Sequence, residues 1–141
     1  NYAIDYNKNK TIELKDTEDS FASAANYLKT IGWKKNEPCF YKIDLKENIP
    51  KRYLNSSARN IKNKKKVIFF KRYIKNFDNL KILGNLNSAI IIPDKDIIPG
   101  AETLSPAYIV FENYEKILNW NRSLRFALAV CTLKESIKNE I

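Results

Sequence analysis

Along this chain the spacing of apolar residues changes twice, and the two changes leave few folds open. Phe21, Ala24, Ala25 and Leu28 recur at i, i+3, i+4 and i+7, the signature of one buried helical face. A helix over residues 19–31 is predicted, with Asp19 or Ser20 as its cap and Gly32 at the left-handed C-terminal position before Trp33. From Cys39 the period drops to two. Cys39, Tyr41, Ile43 and Leu45 alternate with Phe40, Lys42, Asp44 and Lys46, as in a half-buried strand. Further strands are expected at 81–83, 88–92 and 107–111. Residues 46–66 read as polar loop with a short turn, 67–77 as a short helix or strand, and 93–106 as a turn-rich loop around Pro99-Gly100. Beyond them Asn113 is placed to cap a helical turn through Ile117 and Leu118. Asn121 or Ser123 is placed to cap a last helix, 124–138, whose first half is apolar nearly all round and is expected to be buried. The pattern predicts an α+β fold: helix, small antiparallel sheet, buried helix. At 141 residues it makes one domain or part of one.

What the chain lacks excludes several chemistries. With no histidine it holds no Ser-His or Cys-His pair and no His-ligated zinc. Cys39 and Cys131 lack metal-ligand spacing and read as buried thiols, which pair only if folding brings them together. No apolar run reaches the length of a membrane span. The chain has no methionine and starts at Asn1, so a piece of a longer or processed protein is expected. The net charge of +9 is local. Residues 51–77 hold ten Lys or Arg and no Asp or Glu, while the rest is nearly neutral. Such a segment is either a solvated surface or a face for a polyanion.

Asp5, Asn7, Asn9, Thr11 and Asp16 stand at positions 1, 3, 5, 7 and 12 of a twelve-residue loop, the oxygen-ligand spacing of an EF-hand. Ile12 occupies the position that packs between such a loop and the core. Lys10 stands where the sharp turn calls for glycine, Asp16 where a bidentate Glu is usual, and only two ligands are carboxylates. The loop reads either as a weak Ca²⁺ or Na⁺ site or as a turn held by its own Asn and Asp hydrogen bonds.

DSFASAANYLKTIGW, followed by EPCFYKIDL, and later AYIVFENYEKILNWNRSLRFALAVCTL resemble segments of the bacterial lytic murein transglycosylase B family, in the same order and at similar separation. The resemblance implies the C-terminal part of a lysozyme-like helical domain with a small β subdomain inserted at residues 38–112, carrying the basic insert 51–77. Residues 1–33 would be loop plus helix and 113–141 the terminal helices. It implies that Tyr27, Asn121, Trp120 and Phe126 line a saccharide cleft, and that Asp5, Asn7, Asn9, Thr11 and Asp16 hold calcium. On the residues alone, Tyr27 reads equally as packing, Asn121 as a helix cap and Trp120 as a core anchor. The family's single catalytic glutamate lies upstream of the matched part. None of Glu13, Glu18, Glu37, Glu47, Glu102, Glu112, Glu115, Glu135 or Glu140 has a comparable setting, so this segment alone is expected to be inactive. The implied whole is a monomeric periplasmic enzyme, anchored at the outer membrane in some settings. It would cleave the MurNAc-GlcNAc β-1,4 bond of peptidoglycan without water to give 1,6-anhydromuramoyl ends. The alternative is a non-catalytic basic module for nucleic acid or a wall polyanion, with Tyr53, Phe69, Phe70 and Tyr73 stacking on bases.

Overall fold

The computed structural model describes residues 2–95, 99 and 104–140, apart from the side chains of 139 and 140. The chain forms two compact units, Asn1–Asn36 and Glu37–Ile141.

In the first unit, helix α1 spans Thr17–Thr30 and starts two residues earlier than its apolar period predicts. The cap is Asp16, whose Oδ1 accepts the N–H groups of Glu18 at 2.9 Å and Asp19 at 3.2 Å. The far end closes as expected. Gly32 sits at φ 91°, and the N–H groups of Trp33 and Gly32 return to the carbonyls of Leu28 and Lys29. The expected apolar face is not buried. Phe21 is 72% exposed, and the two buried residues of α1 are Asp19 and Ser23. The reason lies in what covers the helix. Residues 4–13 present backbone N–H groups to it, and only oxygen acceptors satisfy those. Ser23 Oγ accepts from Ile4 at 2.9 Å, and Asp19 accepts from Tyr6 at 2.8 Å and Glu13 at 3.0 Å.

The second unit is built on a small sheet. Strands β1 (Phe40–Ile43), β2 (Leu54–Asn55), β3 (Lys65–Lys66), β4 (Asn87–Ile91) and β5 (Ala107–Val110) run in the order β1-β5-β4-β2, with β3 on the start of β4. Its pairs are antiparallel except β2–β4, so the sheet is mixed rather than purely antiparallel. Register places Phe40 opposite Val110 and Ile90 opposite Ile109. In β4 Ser88, Ala89, Ile90 and Ile91 are all buried, which needs cover on both faces.

The segment read as loop contributes to the core. Its Ile49 and Tyr53, together with Val67, Phe70, Ile74, Phe77 and Leu80 from the segment that follows, pack with Ile43, Leu45, Ile90, Ile109 and Phe111. Residues Val67–Tyr73 and Phe77–Leu83 are 3-10 helices, so Lys81–Leu83 is not a strand. Their buried pairs, Val67 with Phe70 and Phe77 with Leu80, are three apart. That separation eclipses side chains in a three-residue turn. The Pro99-Gly100 turn lies outside the described residues but for Pro99, which is an exposed turn position.

Helix α2 (Glu112–Trp120) begins without a side-chain cap. Asn113, expected as that cap, is instead buried and donates from Nδ2 to the Glu37 carbonyl at 2.9 Å. Helix α3 (Leu124–Glu140) buries a single stripe, Leu124, Ala127 and Cys131, while Leu133 and Ile137 are exposed. Its first half is therefore amphipathic and not buried all round. Cys39 and Cys131 are joined in a disulfide across 92 residues, with Cα atoms 6.0 Å apart, so they are not the free thiols that burial suggested. The bond ties the approach to β1 to the middle of α3.

Candidate functional site

The corner between α2 and α3 gathers three of the residues picked out from sequence. Trp120 closes α2, and the Asn121 N–H bonds to the Ile117 carbonyl at 3.0 Å. The Asn121 carbonyl accepts from the Ser123 N–H at 2.8 Å, and Ser123 Oγ accepts from the Phe126 N–H at 3.2 Å. Ser123, not Asn121, is thus the cap of α3. The Asn121 amide is exposed and makes no hydrogen bond among the described residues. Trp120 is 54% exposed and Phe126 38%, so Trp120 is no core anchor. Beneath them the corner is rigid. The buried Tyr114 hydroxyl donates to the Leu124 carbonyl at 2.7 Å, and burial pushes its pKa well above the usual tyrosine value, which keeps it a neutral donor. Two aromatic faces and a free amide on a fixed backbone suit a sugar, which offers apolar C–H faces and hydroxyls.

Tyr27 belongs to the first unit, half-buried on α1, with its ring edge-to-face to Tyr2 at 5.0 Å. Asn26 Nδ2 donates to the Tyr2 carbonyl at 3.1 Å, so its amide is tied to the N-terminal segment. Tyr27 and the cation loop lie in one unit, and Trp120, Asn121 and Phe126 in the other.

The cation loop has the turn geometry its spacing predicts. Asp5 accepts the N–H groups of Asn9 at 3.2 Å and Lys10 at 2.8 Å, one at each carboxylate oxygen. Asn7 Oδ1 takes the Asn9 N–H at 3.0 Å, and Asn9 Oδ1 the Thr11 N–H at 2.8 Å. Lys10 adopts φ 73°, the conformation glycine normally supplies. Ile12 is 46% exposed and does not pack inward as its loop position suggested. The oxygens fit a hard cation in kind and order, but Asp16 Oδ1 already accepts two helix N–H groups and the loop closes on its own hydrogen bonds. No cluster of three acidic or thiol ligands occurs among the described residues. Asp19 is the anchor that sequence reading missed, having been taken for a cap. The Glu13 N–H holds its carboxyl below the usual range, burial opposes this, and the Tyr6 and Asn7 N–H groups assist. An acid three residues after a stronger capping Asp was the available signal.

A second feature of the larger unit escaped the sequence altogether. An open cleft of about 450 Å³ lies between residues 58–64 and the outer face of α2, lined among others by Arg59, Lys64, Glu115, Asn119 and Arg122. A neighbouring hollow of about 390 Å³ shares Ala58, Arg59 and Arg122 with it and adds Arg125. Buried Asn55 holds the loop that forms one wall. Its Nδ2 donates to the carbonyls of Ile90 at 2.9 Å and Lys62 at 3.1 Å, and its Oδ1 accepts the Lys62 N–H at 2.8 Å.

In the basic insert the rings are already engaged. Tyr53 and Phe70 are buried, Phe69 packs on both, and Arg52, Lys65 and Arg72 lie over the Tyr53 and Phe69 rings at 4.8–5.8 Å.

Among known proteins, the family model for the transglycosylase SLT domain matches residues 1–135. No curated protein matches the chain. Of solved structures, SltB3 from Pseudomonas aeruginosa in complex with NAG-anhNAM-pentapeptide is 26% identical, over 97% of this chain and 35% of that one, with a TM-score of 0.75. The catenated lytic transglycosylase SltB1 of the same organism is 21% identical, over 99% and 43%, at 0.70. The lytic transglycosylase Slt35 of Escherichia coli in complex with calcium is 18% identical, over 99% and 40%, at 0.65. The latter two likenesses show the fold alone, a lysozyme-like arrangement with a small sheet. This chain spans 35–43% of the length of these relatives. The family match over nearly its whole length settles what kind of chain this is: it belongs to the transglycosylase SLT domain family.

Proposed function

We propose that this chain is the C-terminal portion of a peptidoglycan lytic transglycosylase and supplies the sugar-binding side of its cleft. The observation that carries the reading is the exposed Trp120-Asn121 pair with Phe126 at the α2–α3 corner, with Ser123 relieving Asn121 of capping. The family match and the SltB3 structure with a NAG-anhNAM-pentapeptide support it. A glutamate preceding Asn1 in the longer protein would protonate the glycosidic oxygen between MurNAc and GlcNAc. As carboxylate it would then take the proton from the C6 hydroxyl as O6 closes on C1. Water is not consumed, and the product ends in 1,6-anhydromuramic acid. Asn121 would hold a sugar hydroxyl or acetamido group, Trp120 and Phe126 would meet the ring faces, and Tyr27 would offer a ring and hydroxyl to sugar in its own right. In the full-length protein, Asn121→Ala should lower turnover about a hundredfold, and Tyr27→Phe about tenfold, without moving the melting temperature. Unchanged turnover in both would remove these residues from the cleft.

We also place the enzyme in the periplasm as a monomer, attached or unattached to the outer membrane. The Cys39–Cys131 disulfide supports an oxidising compartment. Asp5, Asn7, Asn9, Thr11 and Asp16 would hold Ca²⁺ (or Na⁺) weakly, since two carboxylates balance little charge beside Lys10. Calcium at about ten times its Kd should stabilise the loop by about 1.4 kcal/mol, read as a melting shift that a chelator reverses and Asp5→Asn abolishes. The nucleic-acid reading is disfavoured, because Tyr53 and Phe70 are buried, Phe69 lies under Lys65 and Arg72, and Tyr73 packs on Tyr53 and Phe69.

A further inference from the structure

Two isoleucines stand in water on the most basic stretch of the larger unit, and neither joins its core. The 3-10 helices Val67–Tyr73 and Phe77–Leu83 turn Val67, Phe70, Phe77 and Leu80 inward. Outward, Ile68 is 52% exposed and Ile82 92%. The Ile68 N–H donates to the Gly84 carbonyl at 3.1 Å, and Ile68 Cβ lies 3.7 Å from the place a side chain on Gly84 would take. Both isoleucines therefore come to the same end of the helix pair. Cations surround them. Lys71 follows Ile68 by one three-residue turn, which sets the two on one face. Lys81 precedes Ile82 and is ion-paired with Asp78 at 2.6 Å. That bond first, and the charge of Lys71 in part, hold the Asp78 carboxyl below its usual range, so Lys71 too stands near this pair. From Lys51 to Pro93, Asp78 is the only carboxylate against eleven Lys or Arg. All ten cations of residues 51–77 are exposed. Single exposed apolar side chains are ordinary on a protein surface. A pair brought together by the backbone and set among cations is the makeup of a face that lies in a membrane interface.

We infer that this face docks on an anionic phospholipid bilayer, with Ile68 and Ile82 entering the headgroup–acyl boundary and Lys66, Lys71, Arg72 and Lys81 meeting the lipid phosphates. Charge alone would suit any polyanion. The isoleucines select the bilayer, because a nucleic acid or a phosphate polymer has no apolar layer to take them in. A bilayer offers charge at its surface and hydrocarbon just beneath, the two things this face presents together. The protein lies on the surface and does not span it through this part, since no helix of the described residues is long and apolar enough to cross a membrane. The core residues behind the two 3-10 helices hold the face in place, so docking needs no refolding. Each cation that reaches the headgroups contributes about fivefold in affinity. The inference does not depend on turnover of peptidoglycan, because none of its residues belongs to the α2–α3 corner.

The test is flotation of the full-length protein with vesicles of phosphatidylcholine alone and of phosphatidylcholine mixed with phosphatidylglycerol, beside a titration with a single-stranded oligonucleotide. Anionic vesicles should bind about tenfold or more tightly than neutral ones, and less so as salt rises. Lys66→Gln with Lys71→Gln should weaken that binding about twentyfold. Ile68→Asn with Ile82→Asn should weaken it about tenfold and leave the oligonucleotide titration unchanged. Should Ile68→Asn disturb its helix, seen as a lowered melting temperature, Ile82→Asn alone must still weaken vesicle binding, by about threefold. Ile82→Trp should shift tryptophan emission to the blue on anionic vesicles, relative to the parent protein. Equal binding to the two vesicle types, isoleucine variants that float like the parent, or an Ile82→Trp emission unmoved by vesicles would each overturn the docking face. An oligonucleotide bound more tightly than the anionic vesicles would assign the cations to nucleic acid and overturn it as well.

Discussion

Asp19 shows how much one side chain can organise. It is completely buried, and its two oxygens close the loop of residues 6–13 onto α1. Because its folded pKa is lowered, chiefly by the Glu13 N–H, the carboxylate form is what stabilises this unit. That contribution is fully present above the ordinary aspartate value of about 4 and is lost as the pH falls below it, through the lower folded value. Protection of the Tyr6, Asn7 and Glu13 amide hydrogens, taken relative to the intrinsic exchange rate at each pH, should therefore be high at pH 6 and fall sharply toward pH 3, and Asp19→Asn should remove that pH dependence. Constant protection across that range would mean that Asp19 does not hold the loop. Sequence reading could see an acid here but not its partners, because donors and acceptor are six to thirteen residues apart with no periodic signal. Asn121 is the converse case. Its identity was legible from the Trp120-Asn121-Arg122-Ser123 run, while its freedom from capping appears only once Ser123 is seen to bond the Phe126 N–H.

Among the elements, strong periodicity survived and weak periodicity did not. The strands at Phe40–Ile43, Asn87–Ile91 and Ala107–Val110 and the two terminal helices lie where the patterns put them. The errors fall where a local rule competes with tertiary cover. The apolar stripe of α1 promised burial, yet the chain's own N-terminal segment covers the opposite, polar-bearing side. In residues 46–83, lysines and asparagines masked isolated anchors such as Ile49, Tyr53 and Ile61, each too far from the next to show a period. Residues 67–77, legible as a short helix or strand, hold one 3-10 helix, while Lys81–Leu83, expected as a strand, ends another. The disulfide was illegible because 92 residues of chain must fold before its ends meet. Opening it frees a loop of that length, so reduction or Cys39→Ser with Cys131→Ser should cost about 2–5 kcal/mol of the larger unit's stability. Chemical denaturation with and without reductant reads this directly. A midpoint insensitive to reductant would mean that packing of Leu124, Ala127 and residue 131 against the unit suffices without the bond.

At the scale of the molecule, the likeness to SltB3 covers 97% of this chain and 35% of that one. Within this chain the division of labour is visible. Trp120, Asn121 and Phe126 are exposed at the α2–α3 corner, which the Tyr114 hydroxyl braces from beneath. The basic segment that most distinguishes the composition is partly structural: Tyr53 and Phe70 are in the core, and Arg52, Lys65 and Arg72 lie over the Tyr53 and Phe69 rings. The most direct test of the central claim is mass spectrometry of intact peptidoglycan after incubation with the full-length protein. The account predicts fragments ending in 1,6-anhydromuramic acid, lighter by one water than hydrolytic products. Reducing muramic acid ends, or undigested peptidoglycan, would contradict it.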